Sequence, residues 1–518
     1  MLEFLHRRLF MKRISLLLLC WLLAGATLLG AVGCTTQDPD NKNTEESTTT
    51  PEDDTVETEE DLLATLPQGN YLTESGSPTE FKILNNTSNY GLTIMDSDNM
   101  DTQINSTIYS RNRYIEEELG IAFNVTEMSY GEITSLMGTL AQGGSYEYDL
   151  VYNESRDQMV VVQKNAYYSV NDYKQYLDLE KPWWYADAIN DITICGNNFL
   201  LASDMQMMFN DSIWCIAYNK DIINDHLGDQ PTPYKLVEKG EWTMEKLYQM
   251  VMDTQIDGEE RYGVGSWINF ASAMLAASDI QLVVKDETSG LVATSVDDRF
   301  VTIYRNLLEK FFESNGKGQT NAIRTTYDSQ SYLNGNFPEE IANFQGLFNA
   351  GKATFMAGTV GDMRTYLPSS EIKYGIIPLP KYEESQDEYI SYVYEGAAYC
   401  GIPAAVKADD LQRVCTIMEW LGGHSYDSYR PVYYDVVLDG RVAKDPDAAK
   451  MLDIIFGATE DGKTYIELSN VLKISTSTTI QGCISDANSS IKSRINSTKE
   501  LVDDQLSKIV IFYTGGQS

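Results

Sequence analysis

The feature that most constrains the fold is a regular alternation of strand-like and helix-like segments between residues 79 and 155. Residues 81–84 are predicted as a strand, and residues 104–119 as a helix with Ile108, Ile115 and Leu119 on one side and Gly120 past its end. A strand over 121–128, a helix over 130–141 and a strand over 148–152 follow. This βαβαβ order predicts an α/β fold with a parallel sheet. Ligand-binding residues are then expected at the carboxyl ends of the strands, at 85–87 and 153–155.

Further helices are predicted from apolar periodicity along the rest of the chain. They cover a segment that opens at Thr243 as N-cap, then residues 299–312, residues 411–421 with an end at Gly422 and Gly423, residues 445–456 and residues 480–495. Trp183 and Trp184 are interpreted as packing a structural turn. A folded body of more than 400 residues exceeds one hydrophobic core, so we expect two domains.

The amino terminus has the composition of a secretory leader. Arg7, Arg8, Lys12 and Arg13 precede an apolar stretch over 14–29, which is short for a membrane-spanning helix. Small residues follow up to Cys34. Residues 31–34 (AVGC) resemble the lipobox of bacterial lipoproteins, in which the cysteine is acylated and becomes the first mature residue. We therefore expect a signal peptide over 1–33, a lipidated Cys34 and a lipid anchor on the outer face of a cell membrane. An ordinary cleaved signal or an uncleaved anchor is the alternative.

An acidic segment follows the cysteine. Residues 37–61 hold eleven acidic side chains, one lysine and almost no apolar residue. Such a stretch cannot bury enough surface to offset the entropy of ordering, so residues 34–78 are predicted as a disordered, extended tether. The body is then expected over residues 79–515.

Charge and residue usage exclude several classes of function. The formal net charge of −37 repels nucleic acid. Outside the leader the histidines are His226 and His424, neither at metal-ligand spacing, so the sequence predicts no metal site and no cofactor. Beyond Cys34 there are five cysteines, of which Cys195 and Cys215 are the close pair. The odd count favours buried free thiols, while one or two disulfides remain open.

One motif resembles a phosphate-binding loop and is rejected. Residues 346–352 almost match it, but Ala353 stands where the Mg²⁺-binding hydroxyl belongs, and a helix precedes the loop while a strand follows. Gly351 is interpreted instead as the left-handed residue after a helix. No serine-hydrolase or metalloprotease motif occurs. The positive indication is aromatic: 33 tyrosines and 7 tryptophans, with Trp267 at the end of a predicted strand.

Seven segments, taken in order, carry a resemblance to a known family. They are 148–152 (YDLVY), 181–184 (KPWW), 213–220 (IWCIAYNK), 240–244 (GEWTM), 347–355 (LFNAGKATF), 374–381 (YGIIPLPK) and 401–406 (GIPAAV). Together they resemble the extracellular solute-binding proteins of ABC importers, in the sugar-binding group that includes maltose-binding protein. The resemblance runs from about Phe81 to Tyr513.

The resemblance implies a two-lobed periplasmic-binding-protein-like fold with a hinge of several strands. Lobe 1 would hold about 79–210 with part of 357–515, and lobe 2 about 220–355 with part of 400–515. Hinge crossings are expected near 214–218, 355–358 and 398–402. When the cleft positions of the family are carried over to this sequence one by one, the residues expected to line the cleft are Asn86, Thr87, Asn153, Glu154, Asp204, Trp267, Asp362, Tyr394 and Glu395. For each of these residues a loop cap or a surface contact is the competing interpretation.

The function implied is capture rather than catalysis. A monomer would bind a small solute, most readily a carbohydrate or oligosaccharide stacked on Trp267 or Tyr394, and deliver it to an ABC permease in the membrane. The lipid anchor points to a Gram-positive-type host. Two alternatives for the function remain open at this stage: a tethered sensor that presents ligand to a receptor, and a secreted glycan-degrading enzyme that uses paired carboxylates. The ligand also remains open, because a cleft rich in acids could take a cationic solute such as a polyamine or peptide, whereas aromatic stacking favours a sugar.

Overall fold

The computed structural model describes residues 62–87, 103–143, 145, 147–206, 208–254, 261–267, 269–286, 290–312, 323–326, 344–368, 370–435, 446–474 and 490–515. The predicted signal peptide, Cys34 and most of the predicted tether lie outside these ranges. Within them, no helix is both long enough and apolar enough to cross a membrane.

The strands are β1 (Thr79–Asn86), β2 (Ile121–Met128), β3 (Leu150–Glu154), β4 (Trp214–Asn219), β5 (Tyr262–Trp267), β6 (Val283–Lys285), β7 (Val292–Thr294), β8 (Ile323–Thr326), β9 (Ala353–Thr359), β10 (Tyr374–Ile377), β11 (Tyr389–Val393), β12 (Ala398–Gly401) and β13 (Gly462–Ile466).

The helices are α1 (Gln103–Leu119), α2 (Tyr130–Leu140), α3 (Ser155–Val162), α4 (Ala186–Asp191), α5 (Met208–Asp211), α6 (Lys220–Leu227), α7 (Pro233–Glu238), α8 (Met244–Thr254), α9 (Phe270–Ala277), α10 (Asp298–Leu307), α11 (Phe344–Asn349), α12 (Val360–Tyr366), α13 (Leu411–His424), α14 (Pro446–Ile455), α15 (Leu468–Val471) and α16 (Ile491–Tyr513). The predicted helix over 480–495 falls partly outside the described residues, and α16 covers its end.

The first sheet contains the predicted βαβαβ unit. Its strand order is β12-β3-β1-β2, with β1 parallel to both β2 and β3 and with β12 antiparallel to β3. The predicted parallel sheet is confirmed. Because β1 and β3 run in the same direction, Asn86 and Glu154 end up at one edge of the sheet.

The second sheet is mixed and has the order β10-β4-β9-β5-β8. Strand β9 lies parallel to β5 and antiparallel to β4, so the end of β5 and the start of β4 share one edge with the end of β9. Trp267 and Trp214 therefore lie at that edge. The loop before β9 confirms the rejection of a phosphate site: α11 precedes it, and Gly351 has a φ of +68° in the left-handed region.

The chain passes between the two sheets twice near this pair of edges. It enters the second sheet at Trp214 after α5, and it returns through residues 394–397 to β12. The segments 214–218 and 355–358, expected as hinge crossings, lie inside β4 and β9, while 398–401 form β12. The lobe boundaries themselves remain a prediction.

The predicted end of helix α13 at Gly422 and Gly423 is wrong. The helix reaches His424 and continues as a wider turn over Ser425–Tyr429 and a further helical turn to Asp435. A Cβ on Gly422 would lie 2.5 Å from Trp183 Cδ1, so this glycine permits close packing instead of ending the helix. The turn that holds Trp183 and Trp184 is buried as predicted, and both indole N–H groups donate to Glu419.

The body begins earlier than the acidic composition indicated. Residues 62–65 form a short 3-10 helix, Leu66 is buried, and Trp420 Nε1 donates to the Pro67 carbonyl at 2.8 Å. The prediction of a disordered tether is therefore wrong for 62–78. Leu62, Leu63 and Leu66 pack on the apolar core beside β1, which includes Phe81 and Ile83. The acidic composition of the preceding segment gave no indication of these apolar contacts.

The cysteines that the structure describes are free thiols, namely Cys195, Cys215, Cys400 and Cys415. The open Cys195–Cys215 pairing is thus not formed. Burial raises the pKa of the Cys215 and Cys415 thiols, which keeps both in the protonated form.

Candidate functional site

Residues 394–397, which lead into β12, are held between the ends of strands from both sheets. Tyr394 N–H donates to Ser212 O at 2.9 Å, just before β4. Ser155 Oγ donates to Glu395 O at 2.7 Å, and Ser155 N–H donates to Ala397 O at 2.9 Å. These contacts fix Tyr394 and Glu395 beside the first turn of α3, where the predicted residue Glu154 is the N-cap.

Arg156 is the centre of an ionic cluster at this point. Its Nη2 lies 2.8 Å from Glu154 Oε2, its Nε lies 3.4 Å from Asp157 Oδ2, and its Nη1 lies 3.8 Å from Glu395 Oε1. Nη1 also donates to Tyr394 Oη at 3.1 Å, and the guanidinium lies 5.4 Å from the centre of the Tyr394 ring. One cation thus joins α3 to the loop before β12.

Glu395 has further partners that come from other elements. Tyr392 Oη donates to its Oε2 at 2.7 Å, and Asn269 Nδ2, just ahead of α9, donates to its Oε1 at 3.3 Å. Asp157 Oδ1 is paired with Lys473 Nζ at 2.9 Å. The carboxylates of Glu154, Asp157 and Glu395 therefore surround Arg156, and each side chain is 10% exposed or less.

An aromatic stack lies against this ionic cluster. The Trp267 ring is parallel to Trp214, with centroids 5.1 Å apart and an interplanar angle of 19°. Tyr394 meets Trp267 edge to face, at 5.1 Å and 63°. Trp214 is fully buried, and neither indole Nε1 has a hydrogen-bond partner among the residues that the structure describes. The partly exposed rings of Trp267 and Tyr394 offer an apolar surface, and the buried Trp214 supports Trp267 from the other side.

Burial changes the proton affinity of one member of the cluster. It raises the pKa of Glu154 from 4.5 to about 7. The Arg156 charge opposes this rise, and the negative charges of Asp157 and Glu395 add to it. Burial also raises the pKa of Tyr394, which keeps its hydroxyl protonated as a donor. The cluster therefore changes charge near neutral pH through Glu154.

Four predicted residues meet here: Glu154, Trp267, Tyr394 and Glu395. Asn86 lies at the same sheet edge, where it is buried with Nδ2 3.9 Å from Met208 Sδ. Its Oδ1 has no partner within the described chain. Thr87 is exposed and donates to Met128 O at 3.3 Å.

Three predicted residues are instead used in structural contacts. Asn153 Nδ2 donates to Tyr130 O at 3.1 Å and holds the start of α2. Asp362 forms a capping box with Thr359 at the start of α12, and burial raises its pKa to about 6. Asp204 accepts from Tyr185 Oη at 2.7 Å, lies 3.4 Å from Arg430 Nη1 and likewise has a pKa raised to about 6 by burial. The structure does not bring Asp204 or Asp362 to the Arg156 cluster.

A cavity of about 200 Å³ lies on the other side of the segment that precedes β4. Ile213 and Arg430 line it, whereas the next residue, Trp214, stacks on Trp267. Successive side chains of an extended chain point to opposite faces, so the cavity and the aromatic stack are separated by the backbone. Asp204 approaches the cavity through Tyr185 and Arg430, which line it.

Three residues of the cluster were not predicted as site residues: Arg156, Trp214 and Asn269. Arg156 stands two positions after Glu154, in the first turn of a helix that starts at a sheet edge, which is an available indication. Trp214 appeared only as part of an expected hinge crossing. No group of three or more His, Cys, Asp or Glu side chains in the described ranges has the arrangement of a metal site.

Comparison with known proteins identifies the fold. No family model matches the sequence, and no curated protein sequence matches it. Among solved structures, an ABC substrate-binding protein from Listeria monocytogenes in complex with cycloalternan is 13% identical, with a TM-score of 0.51 over 82% of this chain and 100% of that chain.

Two further structures agree with this one. A solute-binding protein of an ABC transporter from Agrobacterium radiobacter K84, in complex with ribitol, has 13% identity and a TM-score of 0.50 over 83% of this chain and 99% of that one. UgpB from Mycobacterium tuberculosis, in complex with glycerophosphocholine, has 12% identity and a TM-score of 0.50 over 82% of this chain and 99% of its own. The predicted fold, a two-lobed α/β architecture, is confirmed.

Proposed function

From the fold of ABC solute-binding proteins, we propose that this chain is the substrate-binding component of an ABC importer. It captures a carbohydrate or oligosaccharide between its two lobes and delivers it to a membrane permease. It performs no catalysis of its own. The observation that carries the proposal is the stack of Trp214, Trp267 and Tyr394 against the Arg156 cluster, because it joins an apolar ring surface to polar groups at the edges of both sheets.

Each part of this site suits a polyhydroxylated ring. The faces of Trp267 and Tyr394, which are both partly exposed, take the C–H side of a pyranose. Glu154 and Glu395 accept from ligand hydroxyls. A ligand held by residues from both sheets binds the closed arrangement more tightly than the open one, which is the condition for closure.

The proposed location follows from the leader. Cleavage before Cys34 and acylation of its thiol would attach the chain to the outer face of the cell membrane, with the acidic segment that follows as a tether. Intact-mass analysis of the protein from its native host measures the lipid directly. A Cys34→Ala variant should be released from the membrane fraction, and a wild-type product that carries no lipid would refute the anchor.

The binding function is tested by isothermal titration calorimetry with a panel of oligosaccharides. Trp267→Ala should abolish most of the binding, while Trp267→Phe, which keeps an aromatic face, should retain part of it. Loss of one stacked aromatic ring is expected to cost on the order of tenfold or more in affinity. Circular dichroism and thermal melting of both variants separate loss of the site from loss of the fold. Equal affinity of Trp267→Ala and wild type would remove this residue from the site.

Delivery to a permease is tested in the host. Deletion of the gene should abolish uptake of the labelled oligosaccharide, and the wild-type gene should restore uptake while the Trp267→Ala gene should not. Normal uptake in the deletion strain, together with loss of a transcriptional response to the sugar, would indicate the sensor alternative instead.

A further inference from the structure

The ionic cluster around Arg156 has one carboxylate more than it has cations. Glu154, Asp157 and Glu395 are the anions, and among the described residues Arg156 and Lys473 are their ion-pair partners. All three carboxylates are largely buried. A buried charge without a partner is unfavourable, so the cluster is one positive charge short of balance.

Protonation of Glu154 near neutral pH offsets this excess negative charge. Burial, followed by the charges of Asp157 and Glu395, raises the pKa of Glu154 to about 7 against the effect of Arg156. The groups that face Glu154 are Arg156 and Asp157 on its own helix and Tyr394 and Glu395 on the loop before β12, with the Gly396 backbone beside its Oε2. A ligand cation beside Glu154 would supply the same positive charge as this proton.

The surroundings of Glu154 favour a cation over an anion from a ligand. The Arg156 charge is already shared among three carboxylates, so it is not available to a ligand phosphate or carboxylate. The rings of Tyr394 and Trp267 lie next to the cluster, and aromatic faces attract ammonium groups. The buried Nε1 atoms of Trp214 and Trp267 have no partner among the described residues, so the stack beside the cluster contains unused hydrogen-bond donors.

We propose that the natural ligand is an amino sugar or an oligosaccharide that contains one, with its protonated amine beside Glu154 and Glu395 and its ring on the Trp267–Tyr394 stack. This inference rests on the proposed carbohydrate-binding function and narrows its substrate class. On binding, the ligand ammonium takes the place of the Glu154 proton, which is released to solvent. The buried cluster is then electrically balanced.

The first test compares matched ligands by isothermal titration calorimetry at pH 7. The probes are the β-1,4-linked dimer and trimer of glucosamine, the same oligomers with every amine acetylated, and the corresponding glucose oligomers. We expect the free-amine oligomers to bind about tenfold to a hundredfold more tightly than both neutral series, as for one charge-assisted hydrogen bond. In Glu154→Gln this preference should disappear, whereas Glu388→Gln, a half-exposed control outside the site, should retain it.

The second test uses wild-type protein and so does not depend on a variant that folds. Between pH 6 and pH 5, where the ligand amine is largely protonated, affinity for the glucosamine trimer should fall with decreasing pH by up to about tenfold per unit, because binding must displace the Glu154 proton. Affinity for the glucose trimer should change little. Proton release should also appear as a dependence of the binding enthalpy on the ionisation enthalpy of the buffer.

The outcomes separate this inference from the function on which it rests. Neutral oligomers that bind as tightly as the free amines, or a preference that survives in Glu154→Gln, would refute the amino-sugar proposal and leave carbohydrate capture intact. Binding of none of the three series would count against both. An amine preference that is lost in Glu154→Gln and weakens at low pH would support both.

Discussion

Replacing Glu154 by glutamine should stabilise the unliganded protein, and the gain should grow with pH. The side chain has a folded-state pKa of about 7 against its ordinary value of 4.5. The folded state therefore binds this proton more tightly than the unfolded state, and ionisation of Glu154 destabilises the fold as pH rises from about 4.5 to 7. Glutamine has the same size and does not ionise, so the variant does not lose stability in this way as the pH rises.

The magnitude follows from the two pKa values. One pKa unit corresponds to about 1.4 kcal/mol, so ionisation of Glu154 costs up to about 3 kcal/mol at pH 8 but less than about 1 kcal/mol at pH 5. The side chain is 7% exposed, so solvent screening removes little of this cost. The free energy of unfolding of Glu154→Gln, relative to wild type, should therefore rise by about 2 kcal/mol between pH 5 and pH 8.

Urea denaturation at pH 5, 6, 7 and 8 measures this difference. Other buried carboxyls with raised pKa values, such as Asp204 and Asp362, occur in both proteins and cancel in the comparison. The interaction of ionised Glu154 with Arg156 is already included in its folded-state pKa of about 7, so the expected slope takes it into account. Glu388→Gln is the matched control, because Glu388 is half-exposed and lies outside the cluster. A difference for Glu154→Gln that is independent of pH would refute the assignment of a neutral-pH proton to this site.

Three further predictions concern neighbouring contacts. Arg364→Ala should lower the free energy of unfolding, measured by urea denaturation, by about 3–5 kcal/mol. The reason is that Arg364 Nε and Nη2 donate to the two carboxylate oxygens of the fully buried Asp211 at 3.1 and 2.9 Å, and the variant leaves this carboxylate without either bond. A loss below about 1 kcal/mol would contradict this. Asp362→Ala should lower the free energy of unfolding by about 1 kcal/mol, because the capping box is lost, and should leave the sugar affinity measured by calorimetry unchanged. Weaker binding would show that Asp362 belongs to the binding site. Gly396→Ala should weaken sugar binding with little change in melting temperature, because a Cβ at this position would lie 2.5 Å from Tyr394 Cε1 and displace the ring. Unchanged affinity would show that sugar binding does not depend on the position of Tyr394.

The fold could be predicted because most of its strands and helices follow from local sequence patterns. The periods of 2 and 3.6 residues, together with Gly120 and Gly351 after helices, give the βαβαβ unit and the helix before β9 without knowledge of distant contacts. The errors arise where a distant contact overrides a local pattern. Gly422 looks like a helix end, but it is a glycine because Trp183 packs against it from another part of the chain.

The site could be predicted only in part, because a polar residue at the end of a strand can either face the ligand site or cap the helix that follows. Asp362 and Glu154 are both acidic, and both stand at the junction of a strand and a helix. Asp362 is three residues into its helix and caps it, whereas Glu154 is itself the N-cap, with no side-chain capping bond, and its carboxylate meets Arg156 instead. Spacing within the sequence distinguishes the two only when the helix start is known to the residue.

The Arg156 cluster could not be foreseen because its charge balance is a property of three separate segments. Residues 154–157 carry two acids and one arginine, and Lys473 from a distant segment balances the remaining negative charge. Glu395 comes from a third segment, a loop more than 200 residues after Arg156. Its arrival makes the cluster anionic and, with burial, raises the pKa of Glu154 into the neutral range. This excess negative charge lowers the stability of the unliganded protein. It also favours a cationic ligand, because the ligand charge balances the buried carboxylate. A variant that gains stability at Glu154 should therefore lose its preference for an amine.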